Sequence, residues 1–143
     1  MNTTSAATAS AVTFVWLGMV LAISFLEAPL KFRAPGVTIP IGLGIGRLVF
    51  RALNLVEAAL AVVVIVAAAV GDSPNSVIAL TAAVAVLLLA QLVFVRPRLN
   101  RRSDRVLAGE DDGPRSRGHL AYVALELAKV AVLIALGISL LTV

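Results

Sequence analysis

A chain of 143 residues with 60% hydrophobic and 14% charged content stands far from an ordinary soluble domain, where charged residues make up about 25%. Its mean hydropathy of +1.02 points to an integral membrane protein. The net charge of +4 is accounted for by where the cations lie between apolar runs, so nucleic acid is not an expected partner, and the absence of cysteine excludes a disulfide framework, a thiolate metal site and covalently attached haem.

Four apolar runs, each close to the roughly 20 residues that a helix needs to cross a bilayer, predict an all-α, integral membrane four-helix bundle in a single domain. The segment Met1 to Ser10 has no Lys/Arg n-region, and no small-residue cleavage site follows the first apolar run, so that run is expected to be retained. The first helix is expected over 6–27, ending before Pro29, because proline disfavours helix at the residue preceding it. Trp16 lies too deep for an interfacial belt and reads as packing or lipid contact. A basic, proline-punctuated connector then carries Lys31 and Arg33.

The stretch Val37 to Gly46 is apolar but interrupted by Pro40, Gly42 and Gly44, so it is assigned to a connector covering 28–45. Its glycines follow no predicted strand and lack the Gly-Lys-Ser/Thr ending of a phosphate loop. Close backbone approach is their expected role. The second helix, over 46–70, places Arg47, Arg51, Asn54 and Glu57 on one face at spacings of four, three and three. It stops at Gly71-Asp72-Ser73-Pro74, a short turn with breaker and cap residues.

The third helix, over 76–94, is almost wholly Ala, Val and Leu, with Gln91 as its one strongly polar member, and Pro97 marks its expected exit. The segment 95–118 is rich in arginine and then acidic, which suits a solvated loop with a short helix from Arg98 to Leu107, or a lipid-headgroup contact. In the fourth helix, over 119–143, His119, Tyr122, Glu126 and Lys129 recur at spacings of three, four and three. One face is again polar. The lone histidine reads as a helix cap or interfacial hydrogen-bonding group and excludes bis-histidine haem within one chain. No cofactor is expected, and no metal ligand set can be assigned.

Eleven of the twelve cations flank the first and third connectors: Lys31, Arg33, Arg47, Arg51, Arg96, Arg98, Arg101, Arg102, Arg105, Arg115 and Arg117. The positive-inside rule places both connectors in the cytoplasm and both termini outside, in a multi-pass protein of the cell membrane. The arginines and lysines of these connectors then serve as topology anchors or headgroup contacts. At about 1.5 Å rise per residue, Glu57 stands roughly 9 Å beyond Arg51 and Glu126 roughly 10 Å beyond His119, so they share a layer. Glu27 and Gln91 approach that layer from the other two helices.

The candidate site is therefore Glu27, Asn54, Glu57, Gln91, Tyr122, Glu126 and Lys129, with Arg47 and Arg51 at its edge. In one reading the carboxylates bind or move a small cation or cationic solute, with Asn54, Gln91 and Tyr122 completing its shell. In the other, Glu57 pairs with Arg51 or a neighbouring cation, Glu126 pairs with Lys129, and the charges only fix helix register. A non-catalytic accessory or scaffold subunit, held by anionic lipid or a larger complex, is the competing class. No nucleophile-base pair or HExxH stands in the chain, so an enzyme is not expected. Ala-rich stretches such as Ala67-Ala68-Ala69 permit close contact within the bundle or in a homo-oligomer. Leu26-Glu27-Ala28-Pro29 also echoes Phe94-Val95-Arg96-Pro97, and Glu57 echoes Glu126, the pattern of two parallel hairpin repeats.

Taken together, Phe25-Leu26-Glu27-Ala28-Pro29-Leu30-Lys31-Phe32-Arg33, Gly46-Arg47-Leu48-Val49-Phe50, Arg96-Pro97-Arg98-Leu99-Asn100 and Gly118-His119-Leu120 resemble the small four-helix transmembrane protein 205-like family and its bacterial relatives. Here Gly-His replaces the Leu-His pair of that family, and Glu27 precedes Ala-Pro. The resemblance implies the four-helix arrangement and a loose association with metal or drug resistance. It transfers no catalytic residue.

Overall fold

The computed structural model describes residues 1–109 and 117–143, and these form helices without any strand. Four helices are long and apolar enough to cross a membrane: α1 (Thr3–Arg33), α2 (Ile39–Ala69), α3 (Asn75–Leu107) and α4, apolar over Leu120–Leu141 and helical from Arg117. They run up and down in sequence. Helix α1 packs against α2 and α4, and α3 packs against the same two, so that α1 and α3 face each other across the bundle axis. The outer surface is apolar, with Leu48 72% and Leu55 67% exposed. Soluble monomers rarely expose apolar surface on that scale.

The helices begin and end where local chemistry allows. Asn2 caps α1 by accepting from the Ser5 N–H at 2.7 Å, and Thr38 caps α2 by accepting from the Ile41 N–H at 3.3 Å. Helix α2 starts seven residues earlier than its glycines and proline suggest, at Ile39. Pro40 stands in its first turn, where a missing N–H costs no helical bond. Gly42 and Gly46 are buried because the end of α1 lies on them: a Cβ at Gly42 would overlap the Phe32 ring, and one at Gly46 would come within 3.0 Å of the Lys31 amine. At the other end of α2, Gly71 takes φ +83°, the left-handed conformation that glycine adopts without strain, and the chain turns into α3.

Neither Pro29 nor Pro97 ends a helix. Ahead of each, the helix widens into π turns, over Leu21–Glu27 in α1 and Gln91–Val95 in α3. The Ala28 N–H bonds the Ile23 carbonyl and the Arg96 N–H bonds the Gln91 carbonyl, each five residues back. In a regular helix the proline ring would collide with the carbonyl four residues earlier. The wider turn removes that collision, so each helix continues past its proline. Helix α1 then closes with the 3-10 turn Lys31–Arg33, and α3 continues as the arginine-rich arm Arg96–Leu107.

Burial follows the internal echo. With Pro29 aligned on Pro97, Ala9, Thr13, Trp16 and Val20 of α1 correspond to Val77, Thr81, Val84 and Leu88 of α3, and all eight are buried. With Glu57 aligned on Glu126, Leu53, Glu57, Val64 and Ala67 of α2 correspond to Tyr122, Glu126, Leu133 and Leu136 of α4, and these eight are buried too. The core divides along the axis. Towards the termini it is apolar, with Ala9, Val64, Val77, Leu133, Leu136 and Leu140 among its members. Towards the prolines it holds the charged groups.

Candidate functional site

Helix α4 is regular, so Tyr122, Glu126 and Lys129 project on one face, four and three residues apart, and all three are buried against the axis. Lys129 has no exposed surface, and Glu57 and Glu126 are each 1% exposed. The Lys129 ammonium donates to both Glu57 oxygens, at 2.8 and 2.9 Å, and to the Gln91 carbonyl oxygen at 2.8 Å. It also pairs with Glu126 Oε1 at 2.5 Å. The Gln91 amide donates to Glu126 Oε1 at 3.3 Å, and the Ser24 hydroxyl donates to Glu126 Oε2 at 2.6 Å. Residues of α2, α3 and α4 thus meet at a single ammonium, and α1 joins them through the Ser24 hydroxyl on Glu126.

Two carboxylates around one ammonium leave an excess negative charge when all three are ionised. Taking charges out of water costs several kcal/mol per ion, offset only where geometry and hydrogen bonds are good. Here every carboxylate oxygen has a protein donor. The next cation is Arg96, whose guanidinium carbon lies 4.8 Å from the centre of the Phe50 ring and 4.7 Å from that of Tyr122. Those rings meet edge to face with centres 5.8 Å apart. Beyond Phe50, the Lys31 ammonium lies 5.7 Å from the same ring and 3.7 Å from Glu27 Oε2.

Of the residues singled out in the sequence, Glu57, Gln91, Glu126 and Lys129 come together, with Tyr122 beside Glu126. Glu27 does not join them. The π turns carry an extra residue per turn, which rotates Glu27 away from the face that Ser24 occupies and towards Lys31. Asn54 is half-buried and makes no hydrogen bond to the cluster among the described residues, because the axis-facing positions of α2 are Leu53 and Glu57. The expected Glu57 partner, Arg51, is exposed, and Lys129 takes that place. Arg47 instead pairs with Asp104 on the arginine-rich arm. Of the remaining anchors, Arg33, Arg101 and Arg105 are exposed and Arg102 is partly so. The side chains of Arg98 and His119, together with the acidic stretch and Arg115, lie outside the described residues.

Ser24, Phe50 and Trp16 were not expected in the site. Trp16 has no exposed surface and adjoins Glu57 without closing a hydrogen bond, so it packs and does not face lipid. Ser24 sits four residues after Val20, on the buried face of α1, and that spacing was the available signal. Among the described residues no group of three or more His, Cys, Asp or Glu is arranged to hold a metal ion. Compared with protein-family models, with curated proteins and with solved structures, the chain matches none.

Proposed function

We propose that this chain is a small multi-pass protein of the cell membrane that binds and moves a cation through its buried carboxylate layer, and that the cation is a proton. The observation that carries this reading is the enclosure of one lysine ammonium by two buried carboxylates. Lys129 already fills the position between Glu57 and Glu126, so a metal ion or organic cation must displace it. A proton needs no added room. It also neutralises the excess negative charge, and ionisable groups inside a membrane mark ion pathways and proton relays. The positive-inside rule puts the arginine end in the cytoplasm and both termini outside.

The test is proton flux into proteoliposomes under a potassium diffusion potential, followed by an internal pH dye. Flux above that of protein-free vesicles is expected, and Glu57→Gln and Glu126→Gln should each lower it at least about tenfold while far-ultraviolet circular dichroism and monodispersity persist. Wild-type flux at the protein-free level removes the reading.

A second reading is favoured by one observation, that every oxygen of both carboxylates already has a protein donor. Such a cluster can serve only to hold the four helices in register, in an accessory subunit whose arm Arg96–Leu107 lies on anionic lipid, alone or as a homo-oligomer. Unfolding of both glutamine variants selects it. The family resemblance rests on the short motifs quoted above and favours neither reading.

A further inference from the structure

Six described side-chain atoms are buried without a protein hydrogen-bond partner: Thr13 Oγ1, Trp16 Nε1, Glu27 Oε2, Thr81 Oγ1, Arg96 Nε and Tyr122 OH. Buried polar atoms are almost always satisfied, and where protein does not do so, ordered water does. The six are not scattered. They fall on the two sides of the Lys129 cluster, Tyr122, Arg96 and Glu27 towards the prolines and Thr13, Trp16 and Thr81 towards the termini.

On the side towards the prolines, Tyr122 OH stands beside the Glu126 carboxylate, one helical turn earlier on α4. The Arg96 guanidinium lies against both the Tyr122 and Phe50 rings, and the Lys31 amine also lies near the Phe50 ring. Lys31 pairs with Glu27, whose side chain is 35% exposed. Polar groups therefore lead from Glu126 through Tyr122 to the partly exposed Arg96, and across the Phe50 ring to Lys31 and the partly exposed Glu27 carboxylate.

On the opposite side the arrangement ends. Ser24 and Gln91 both hold Glu126, so they mark one level in α1 and α3. Thr13 and Thr81 stand eleven and ten residues before them, which puts both hydroxyls at one level within about 1.5 Å. Trp16 fills the interior between that level and Glu57. Beyond it the axis is closed by Ala9, Val64, Val77, Leu136 and Leu140.

We infer that, in this conformation, the cluster exchanges its proton with the arginine end alone, through a hydrated route in which the Tyr122 hydroxyl is the relay, while Thr13, Thr81 and Trp16 line a blind hydrated end. The relay step balances: a hydronium ion beside Arg96 passes a proton to the Tyr122 oxygen and becomes water, the hydroxyl proton passes to the Glu126 carboxylate, and the phenol stays neutral. Glu57, Glu126 and Lys129 are the charged groups on the cluster side, and Arg96, Lys31 and Glu27 those on the route. This inference rests on the reading of the cluster as a proton site.

The experiment uses proteoliposomes sorted by orientation, with a rapid pH jump applied outside and the carboxyl stretching band followed by time-resolved infrared absorption. Vesicles with the arginine end outward should respond promptly, and those with the opposite end outward only after the internal pH has changed. Tyr122→Phe keeps the ring against Phe50 and Arg96, and should slow the prompt response about tenfold at unchanged amplitude. Thr13→Val with Thr81→Val should leave its rate unchanged. Equal responses from the two orientations, or a wild-type rate in Tyr122→Phe, overturn the route while the proton site stands. Absence of any carboxyl response in the wild-type protein overturns both.

Discussion

The hairpin α1–α2 and the hairpin α3–α4 bury corresponding positions but divide the chemistry unequally. The first contributes Glu57 and the Ser24 hydroxyl, and the second contributes Glu126, Gln91, Lys129, Tyr122 and Arg96. Lys129 corresponds to Leu60, which is partly buried and apolar, and Arg96 corresponds to Ala28. Burial on a helix depends on its apolar period, which both hairpins share. A buried charge, by contrast, must find its own partner. One ammonium between two equivalent carboxylates satisfies that need with a single departure from the repeat, and a second lysine at position 60 would bring like charges together.

Lys129→Leu tests this most severely, because it gives the second hairpin the apolar residue type of the first. Two buried carboxylates are then left without their cation, and loss of one partner of a buried ion pair costs about 3–5 kcal/mol. A loss of that size in detergent unfolding free energy is expected. Adding Glu57→Gln and Glu126→Gln to the same chain should restore most of it, and no recovery would mean that the lysine stem, not its charge, is what the bundle needs.

A smaller effect is expected where the hairpins differ in volume. Gly137 corresponds to Ala68, and Phe14 to Ala82. A Cβ at Gly137 would lie 2.7 Å from the Phe14 ring, so the large residue of α1 is matched by the absent side chain of α4. Gly137→Ala should destabilise the bundle by about 1–3 kcal/mol through overpacking. Combined with Phe14→Leu the loss should shrink, measured in the same unfolding assay; additive losses would place the two residues out of contact.

Least disturbing are single cysteines in the connectors. Ser73→Cys and Ser103→Cys lie at opposite ends of the bundle, in the cation-free turn and on the arginine-rich arm. An impermeant thiol reagent added outside cells should label only the first, with stability unchanged within about 0.5 kcal/mol. Labelling of the second reverses the assigned orientation.

Much of the architecture was legible because hydropathy and period are local. The number of helices, their alternation and the inward faces of Glu57, Glu126 and Lys129 follow from runs of Ala, Val and Leu interrupted at helical spacing. Gln91 stood out as the one strongly polar residue of its helix. Helix ends were less legible. Pro29 and Pro97 read as stops, since the π widening that carries a helix past proline depends on neighbouring helices to hold it. Ser24 reaches the cluster where Glu27 was expected for the same reason.

The sequence by itself determined which residues have to leave water and which of them carry charge, because composition and spacing fix the apolar stripe of each helix. Only the tertiary structure decided the partners. Whether Glu57 turns to Arg51 or to Lys129 depends on which side chain is nearer once four helices close around an axis, and Lys129 lies 72 positions away in the chain. A polar stripe running from Arg47 to Glu57 thereby separates into an arginine in a surface pair, an exposed arginine, a half-buried asparagine and one buried carboxylate.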